Sequence, residues 1–338
     1  MSERGVRLDR EQRQLVDELR AFVHGDPPPA PPEDLDETRF DALCDEHKVS
    51  SLLARVGGTP RRPSAKRAHL LTFAASTLVE RRRDEAVATL AAAGVDALVL
   101  KGGDWAFRLY PDPGCRPMVD VDLLVRGSQM PQAVDALTSG DWRVSEGEET
   151  FLARGVTVGI EPPEAPRLRI ELHPQLCQPS RYPIDVAALF ARARPLAEGR
   201  PGRRMDDADA TIYCAVHHAL HGYRMPLLWL LDFALLLRAC GPEAPLAERA
   251  REWGAVAALT TSSRLADALL GPLSGPSHLP PLGPAVRAYL RALITPDHLR
   301  MNRILRDGRA RTAATLALLD EGRLRYLADY AWRRTTTR

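Results

Sequence analysis

LVLKGGDWAFRLYPDPGCRPMVDVDLLV, residues 98–125, changes its hydrophobic period twice. The apolar run from Asp96 to Lys101 ends in Gly102-Gly103, the pattern of a buried strand entering a tight turn. Residues 104–110 predict a helix, stopped by Pro111-Asp-Pro-Gly114, and Met118 to Val125 predict a second strand. Side chains alternate faces along a strand, so Asp120 and Asp122 point one way while Val119, Val121 and Leu123 point the other, into a core. Neighbouring carboxylates repel and resist desolvation. A cation between them resolves both problems, and Mg²⁺ suits the task because it takes oxygen ligands and leaves room for phosphate.

A further strand is expected over Arg167–His173, with Leu168, Ile170 and Leu172 on one face and Arg169, Glu171 and His173 on the other. Glu171 would supply a third carboxylate, and three such acids hold two metals for in-line attack on phosphorus. Before them, Lys101-Gly102-Gly103 sits between strand and helix, where backbone N–H groups approach phosphate closely. Arg116 offers a bidentate clamp and Lys101 a point charge to the same group. His173 is expected to reach the nucleotide or the acceptor. Taken singly, each feature has a plainer reading: a turn, an acid at a strand edge, a solvated arginine. Their order, each on the element it requires, carries the functional reading.

Around this segment, helices are expected over residues 8–24, 38–56 and 65–93, the last ended by Gly94 as C-cap. A helix over 128–139 and one or two strands within 141–160 follow, and from Ile184 onward the pattern is helical with Gly/Pro breaks. The expected fold class is α+β: a small mixed sheet over residues 95–183, flanked by an N-terminal helical region (1–94) and a C-terminal helical domain (184–338).

Composition narrows the setting. The formal net charge of +2 over 338 residues gives no global basic field for nucleic acid. Lys48, Lys66 and Lys101 are the only lysines, so a lysine inside the motif stands out. The five cysteines are scattered and never form C-x-x-C, which argues against a disulfide scaffold or a cysteine zinc site. A charged N-terminus and the lack of a long apolar stretch predict a cytoplasmic protein with no membrane partner.

The segment 98–125 resembles the core of the uncharacterised nucleotidyltransferase family, K-G…L-Y-x-D-x-G-x-R…D-[IV]-D-[LI]-L-V, within the polymerase-β-like nucleotidyltransferase fold. RIELHPQL (169–176) looks like its third-carboxylate strand, and residues 213–237 resemble its downstream helices. The resemblance implies metals on Asp120 and Asp122, with Glu171 as third carboxylate and possible base, and Gly102 and Gly103 against a nucleoside triphosphate. It implies transfer of a nucleotidyl group to an acceptor hydroxyl with release of pyrophosphate. A small molecule is favoured as acceptor over tRNA or protein, and a non-catalytic nucleotide-binding scaffold is the alternative. The second glycine stands where many members of the wider fold carry serine.

Outside the motif, His217, His218 and His221 share a helix, but the zincin pattern H-E-x-x-H fails because residue 218 is histidine. They line the acceptor pocket or pack and hydrogen-bond. Asp232 is expected to pair with a base or cap a neighbour, Asp104 to cap the helix after the glycines, and Arg81-Arg82-Arg83 to form a solvated helix face.

Overall fold

The computed structural model describes residues 8–59, 63–148, 157–162, 168–179, 181–197, 199–223 and 225–273. In chain order its elements are α1 Arg10–His24, α2 Glu37–Glu46, α3 Ser50–Val56, α4 Pro63–Ala92, β1 Ala97–Val99, α5 Gly102–Arg108, β2 Asp120–Val125, α6 Met130–Thr138 and β3 Arg143–Val144. There follow β4 Val158–Glu161, β5 Arg169–His173, α7 Val186–Arg192, β6 Arg194–Pro195, β7 Arg203–Arg204, α8 Asp207–Leu220, α9 Leu227–Cys240, α10 Leu246–Glu252 and α11 Val256–Leu270. The protein is thus α+β, with a mixed sheet among helices. Among the described residues, no helix is long and apolar enough to cross a membrane. The expected helical region beyond residue 273 lies outside the described residues.

Two compact units emerge. One is built from Leu70–Pro179 and Ile184–Asp206, the other from the described residues of Met1–His69, Ser180–Pro183 and Asp207–Arg338. The first contains the sheet, in the order β3-β4-β5-β2-β1-β7-β6. At its centre β2 pairs antiparallel with β1 and parallel with β5. The apolar face of the central strands, Val99, Val121, Leu123, Ile170 and Leu172, packs with Val79, Ala86, Val87 and Leu90 of α4 and with Met130, Ala133, Val134 and Leu137 of α6. This layer of helix on sheet buries one face and leaves the acidic face for chemistry.

Local signals hold the flanks. Gly94 ends α4 in the left-handed region (φ +73°), and the Val95 amide turns back to the Leu90 carbonyl at 2.9 Å. That is a C-cap, as expected. In the helical unit, Asp9 caps α1 reciprocally with Gln12, and the buried Asp209 pairs with Arg249 at 3.2 Å.

Several expectations give way to packing. Residues 38–56 form two helices, broken where Lys48 takes φ +58° and His47 is buried. The region after Ile184 is not wholly helical: β6 and β7 extend the sheet, with β7 parallel to β1. Val119 does not enter the core and is 73% exposed, because β2 begins only at Asp120. Asp104 does not cap α5. Lys101 occupies the cap position, and the buried Asp104 pairs with Arg108 one turn later, at 3.1 Å. Nor is the arginine run a solvated face. Arg81 is exposed, but Arg82 and Arg83 are buried.

The contrast between Leu123 and Val119 is measurable. Leu123→Ala, at a fully buried position on the central strand, is expected to destabilise the protein by about 2–5 kcal/mol in urea unfolding. Val119→Ala is expected to stay within about 0.5 kcal/mol of wild type.

Candidate active site

The parallel pairing of β2 and β5 sets Asp122 beside Glu171 and Asp120 beside Arg169. Partners across a sheet share a face, so the acids of both strands meet on the side away from the core. Asp122 is nearly inaccessible at 4% exposure. A buried carboxylate demands compensation, and two donors converge on its Oδ1: the Lys101 ammonium at 2.9 Å and His173 Nε2 at 2.8 Å. The other nitrogen of His173, Nδ1, lies 3.0 Å from the Thr157 hydroxyl. Both ring nitrogens of His173 are thus engaged, one by Asp122 and the other by Thr157.

Glu171 is held from two sides. Its Oε1 lies 3.3 Å from Arg169 Nε and its Oε2 lies 3.6 Å from His173 Nε2. Arg169 is itself gripped by Glu148 at 2.6 Å, whose second oxygen accepts the Gly159 amide at 2.6 Å. Arg169 crosses β4 at Gly159, where any Cβ would fall 2.2 Å from its Nε. Only glycine leaves that path open.

The three acids respond differently to this setting. Burial pushes Asp122 up, but the Lys101 charge and the His173 hydrogen bond outweigh it and hold the carboxyl well below the usual range. Asp120 is raised by burial and by the charge of Asp122, against the opposing pull of Lys101 and Arg116. Glu171 is raised for the same reasons, burial first and then Asp122. One firmly ionised acid therefore sits between two that resist ionisation.

Asp122, Glu171 and His173 present ligand atoms all within 4.8 Å of one another. Both donors to Asp122 use Oδ1, which leaves Oδ2 for a cation. The residues fit a hard divalent ion: two crowded carboxylates with unfavourable charge, and Asp120 at the strand entrance exposed to the same field. Asp120 lies outside the three-residue set, and His173 hydrogen-bonds Asp122.

The Gly102-Gly103 turn enters this face from β1. Lys101 adopts φ +46°, a conformation unfavourable for a side-chain-bearing residue, and from it delivers its ammonium to Asp122. The two glycines serve different needs. A Cβ on Gly102 would meet Arg116 Nη1 at 2.5 Å, so the guanidinium lies directly against the backbone there. The same guanidinium stands over the Trp105 ring, 5.7 Å from its centroid. A Cβ on Gly103 would fall 2.7 Å from Val99 Cγ1, so the sheet itself excludes a serine.

The alternation rule reaches Asp120, Asp122, Glu171, Arg169 and His173, but Thr157, Glu148 and Arg83 were missed. Arg83 had a signal. It lies on the α4 stripe of Val79, Ala86 and Leu90, all core residues, at helical spacing. Thr157 and Glu148 act only through the tertiary fold.

His217 and His218 of α8, and His221 just beyond its end, belong to the helical unit. His218 is fully buried, with Nδ1 at 3.1 Å from Ser262 and Nε2 at 3.2 Å from the Trp229 carbonyl, and burial pushes it down to about 3. It is a structural residue. His217 and His221 stack with each other and with Trp229, at centroid distances of 4.5–4.9 Å. None of the three joins a metal-holding group among the described residues. Asp232 is buried within α9.

Opposite charges of pKa shift give opposite stability effects. Asp122 is depressed in the fold, so its contribution is full above the unfolded value of about 4 and fades as pH falls. Asp120 and Glu171 are raised, so each subtracts stability as pH climbs past that value. In metal-free buffer at pH 7, Asp122→Asn is expected to lower the melting temperature by the equivalent of about 1–3 kcal/mol and to flatten the acid limb. Asp120→Asn and Glu171→Gln are expected to raise it. Thermal scans from pH 3 to 8 decide; a rise for Asp122→Asn would contradict the assignment.

Comparison with known proteins adds one finding. Neither the curated proteins nor the solved structures offer a match. The model of the uncharacterised nucleotidyltransferases matches residues 33–271, most of the 338-residue chain and all of the acidic face. With the Gly-Gly turn and the acids of β2 and β5 inside that span, the chain belongs to the uncharacterised nucleotidyltransferase family.

Proposed function

We propose that the protein moves a nucleoside monophosphate from a nucleoside triphosphate to the hydroxyl of a small molecule, releasing pyrophosphate. The observation that carries this reading is the Asp122–Glu171 pair on adjacent parallel strands, beside the Gly102-Gly103 turn. Asp120, Asp122 and Glu171 are the residues that would hold Mg²⁺ in a two-metal site. When bound there, Mg²⁺ offsets charge on the triphosphate and lowers the pKa of the acceptor hydroxyl.

The chain's own groups do the rest. Gly102, stripped of a side chain and backed by Arg116, gives the phosphates close approach to backbone and guanidinium. Lys101 sets the charge of Asp122 and, with Arg116, offsets charge on the departing pyrophosphate. The acceptor oxygen bonds to the α-phosphorus as the bond to the α,β-bridging oxygen breaks. The hydroxyl proton passes to Glu171, the carboxylate that stands beside Asp122 on the neighbouring strand. His173, locked between Asp122 and Thr157, keeps the central carboxylate aimed. A small acceptor fits the net charge of +2, which offers little to a polyanion.

Calorimetry with each of the four common nucleoside triphosphates tests this. Wild type is expected to bind one of them in Mg²⁺ and to lose it with the metal withheld, and Asp122→Asn is expected to bind at least about tenfold more weakly. If wild type binds no triphosphate, the catalytic reading fails; binding without turnover of any acceptor would instead mark a non-catalytic nucleotide-binding scaffold. Steep loss of tRNA binding with salt would instead identify a nucleic-acid acceptor.

A further inference from the structure

Arg83 is a buried cation on a helix that carries none of the site's acids. Its Nη1 donates to the Gly103 carbonyl at 2.6 Å. Its Nε and Nη2 both donate to Asp84 Oδ1, at 2.8 and 2.7 Å, and the guanidinium covers the Phe107 ring at 4.8 Å from the centroid. The chain of contacts runs on to the surface. Arg200, between β6 and β7, bridges the other Asp84 oxygen at 2.8 Å and Glu80 at 3.0 Å. Two cations and two anions thus close a neutral quartet, which answers the desolvation of Arg83. The geometry reaches Gly103 at the carbonyl and, through Phe107, the next turn of the same short helix.

We infer that Arg83 is a positioning residue for the phosphate-facing turn, with Arg200 as its outer brace. The inference rests on the proposed nucleotide binding at Gly102-Gly103 but concerns a residue that reading does not use. Two successive glycines have more backbone freedom to lose than any other pair. A turn of this kind presents its amides to phosphate only if something else restrains it. The charge-assisted bond from Arg83 supplies the restraint on one side, as Arg116 packs against Gly102 on the other. Arg83 lies behind the turn and holds its far carbonyl, so its effect is on triphosphate binding and not on the acids.

The test uses the full chain, with Arg83→Met, Arg83→Lys and Arg200→Gln beside wild type. Three readouts are taken: affinity for the Mg²⁺-triphosphate, affinity for Mn²⁺ alone, and amide exchange across residues 101–107. Arg83→Met is expected to weaken triphosphate binding at least about tenfold and to speed amide exchange by a similar factor, with Mn²⁺ affinity kept within about twofold. Arg200→Gln, at the surface, is expected to show the same pattern at about threefold. Unchanged exchange and triphosphate affinity in Arg83→Met overturn the inference, as does a parallel loss of Mn²⁺ binding, which marks a merely structural role. If Arg83→Met fails to fold, Arg83→Lys decides by the same criteria, since an ammonium lacks the planar fork whose three nitrogens serve Gly103 and Asp84. Should wild type bind no triphosphate, the functional reading falls separately, and amide exchange alone judges Arg83.

Discussion

The ionised Asp122 carboxylate, shut off from water on a central strand, is the constraint that shapes this face of the protein. A charge in that position survives only with partners close by. Lys101 and His173 provide them, and each imposes a requirement on the chain. Lys101 reaches back only because the backbone accepts φ +46° at the end of β1, which commits the next two residues to a tight turn. His173 aligns only because β5 runs parallel to β2 in the register that sets it opposite Leu124, two residues beyond the Asp122–Glu171 pair. Thr157 then holds the far nitrogen of the ring, which keeps the near one turned toward Asp122. Removing any of these leaves a buried charge less well satisfied, so strand order, register and turn geometry are tied to one carboxylate.

The glycine turn shows the same economy in steric terms. Alanine in place of glycine ordinarily favours a helix by about 1 kcal/mol. At Gly103 that gain is opposed by a Cβ only 2.7 Å from Val99, where overpacking costs about 1–3 kcal/mol. The contact wins because Val99 is locked in the sheet core. A serine has no room at Gly103, and the polar group against Gly102 is the Arg116 guanidinium.

What the sequence makes legible follows from how far each cause acts along the chain. Alternation is local, so Asp120, Asp122, Glu171, Arg169 and His173 were assigned to their faces without tertiary knowledge. The meeting of β2 with β5 is not local. Nearly fifty residues lie between Asp122 and Glu171, so alternation offers Glu171 as a third carboxylate but carries no information on the pairing or its register. Strands of two residues, such as β6 and β7, carry no period at all, so they were absorbed into a helical reading. Val119 failed for a related reason: alternation tells which way a side chain points but not where the strand begins. Arg83 was misjudged by residue type. Its charge argued for solvent, while its place on the α4 core stripe argued for burial, and the Gly103 carbonyl settled the matter in favour of burial.

The site's charges also explain why its acids are unequal. Asp120, Asp122 and Glu171 face Lys101, Arg116 and Arg169, a balanced set, yet the cations are not evenly shared. Lys101 and His173 crowd onto Oδ1 of Asp122, and Arg169 is divided between Glu171 and Glu148. Burial first, and then the negative potential of Asp122, leave Glu171 and Asp120 with a raised affinity for protons. A proton and a divalent cation answer the same potential, but only the cation also draws in a triphosphate. Strengthening the protein's own compensation, by giving Asp120 or Glu171 a firmer cationic partner, would stabilise the fold and remove the charge crowding on which the proposed metal binding rests. The residual strain among these carboxylates is therefore what a nucleotidyltransferase has reason to keep.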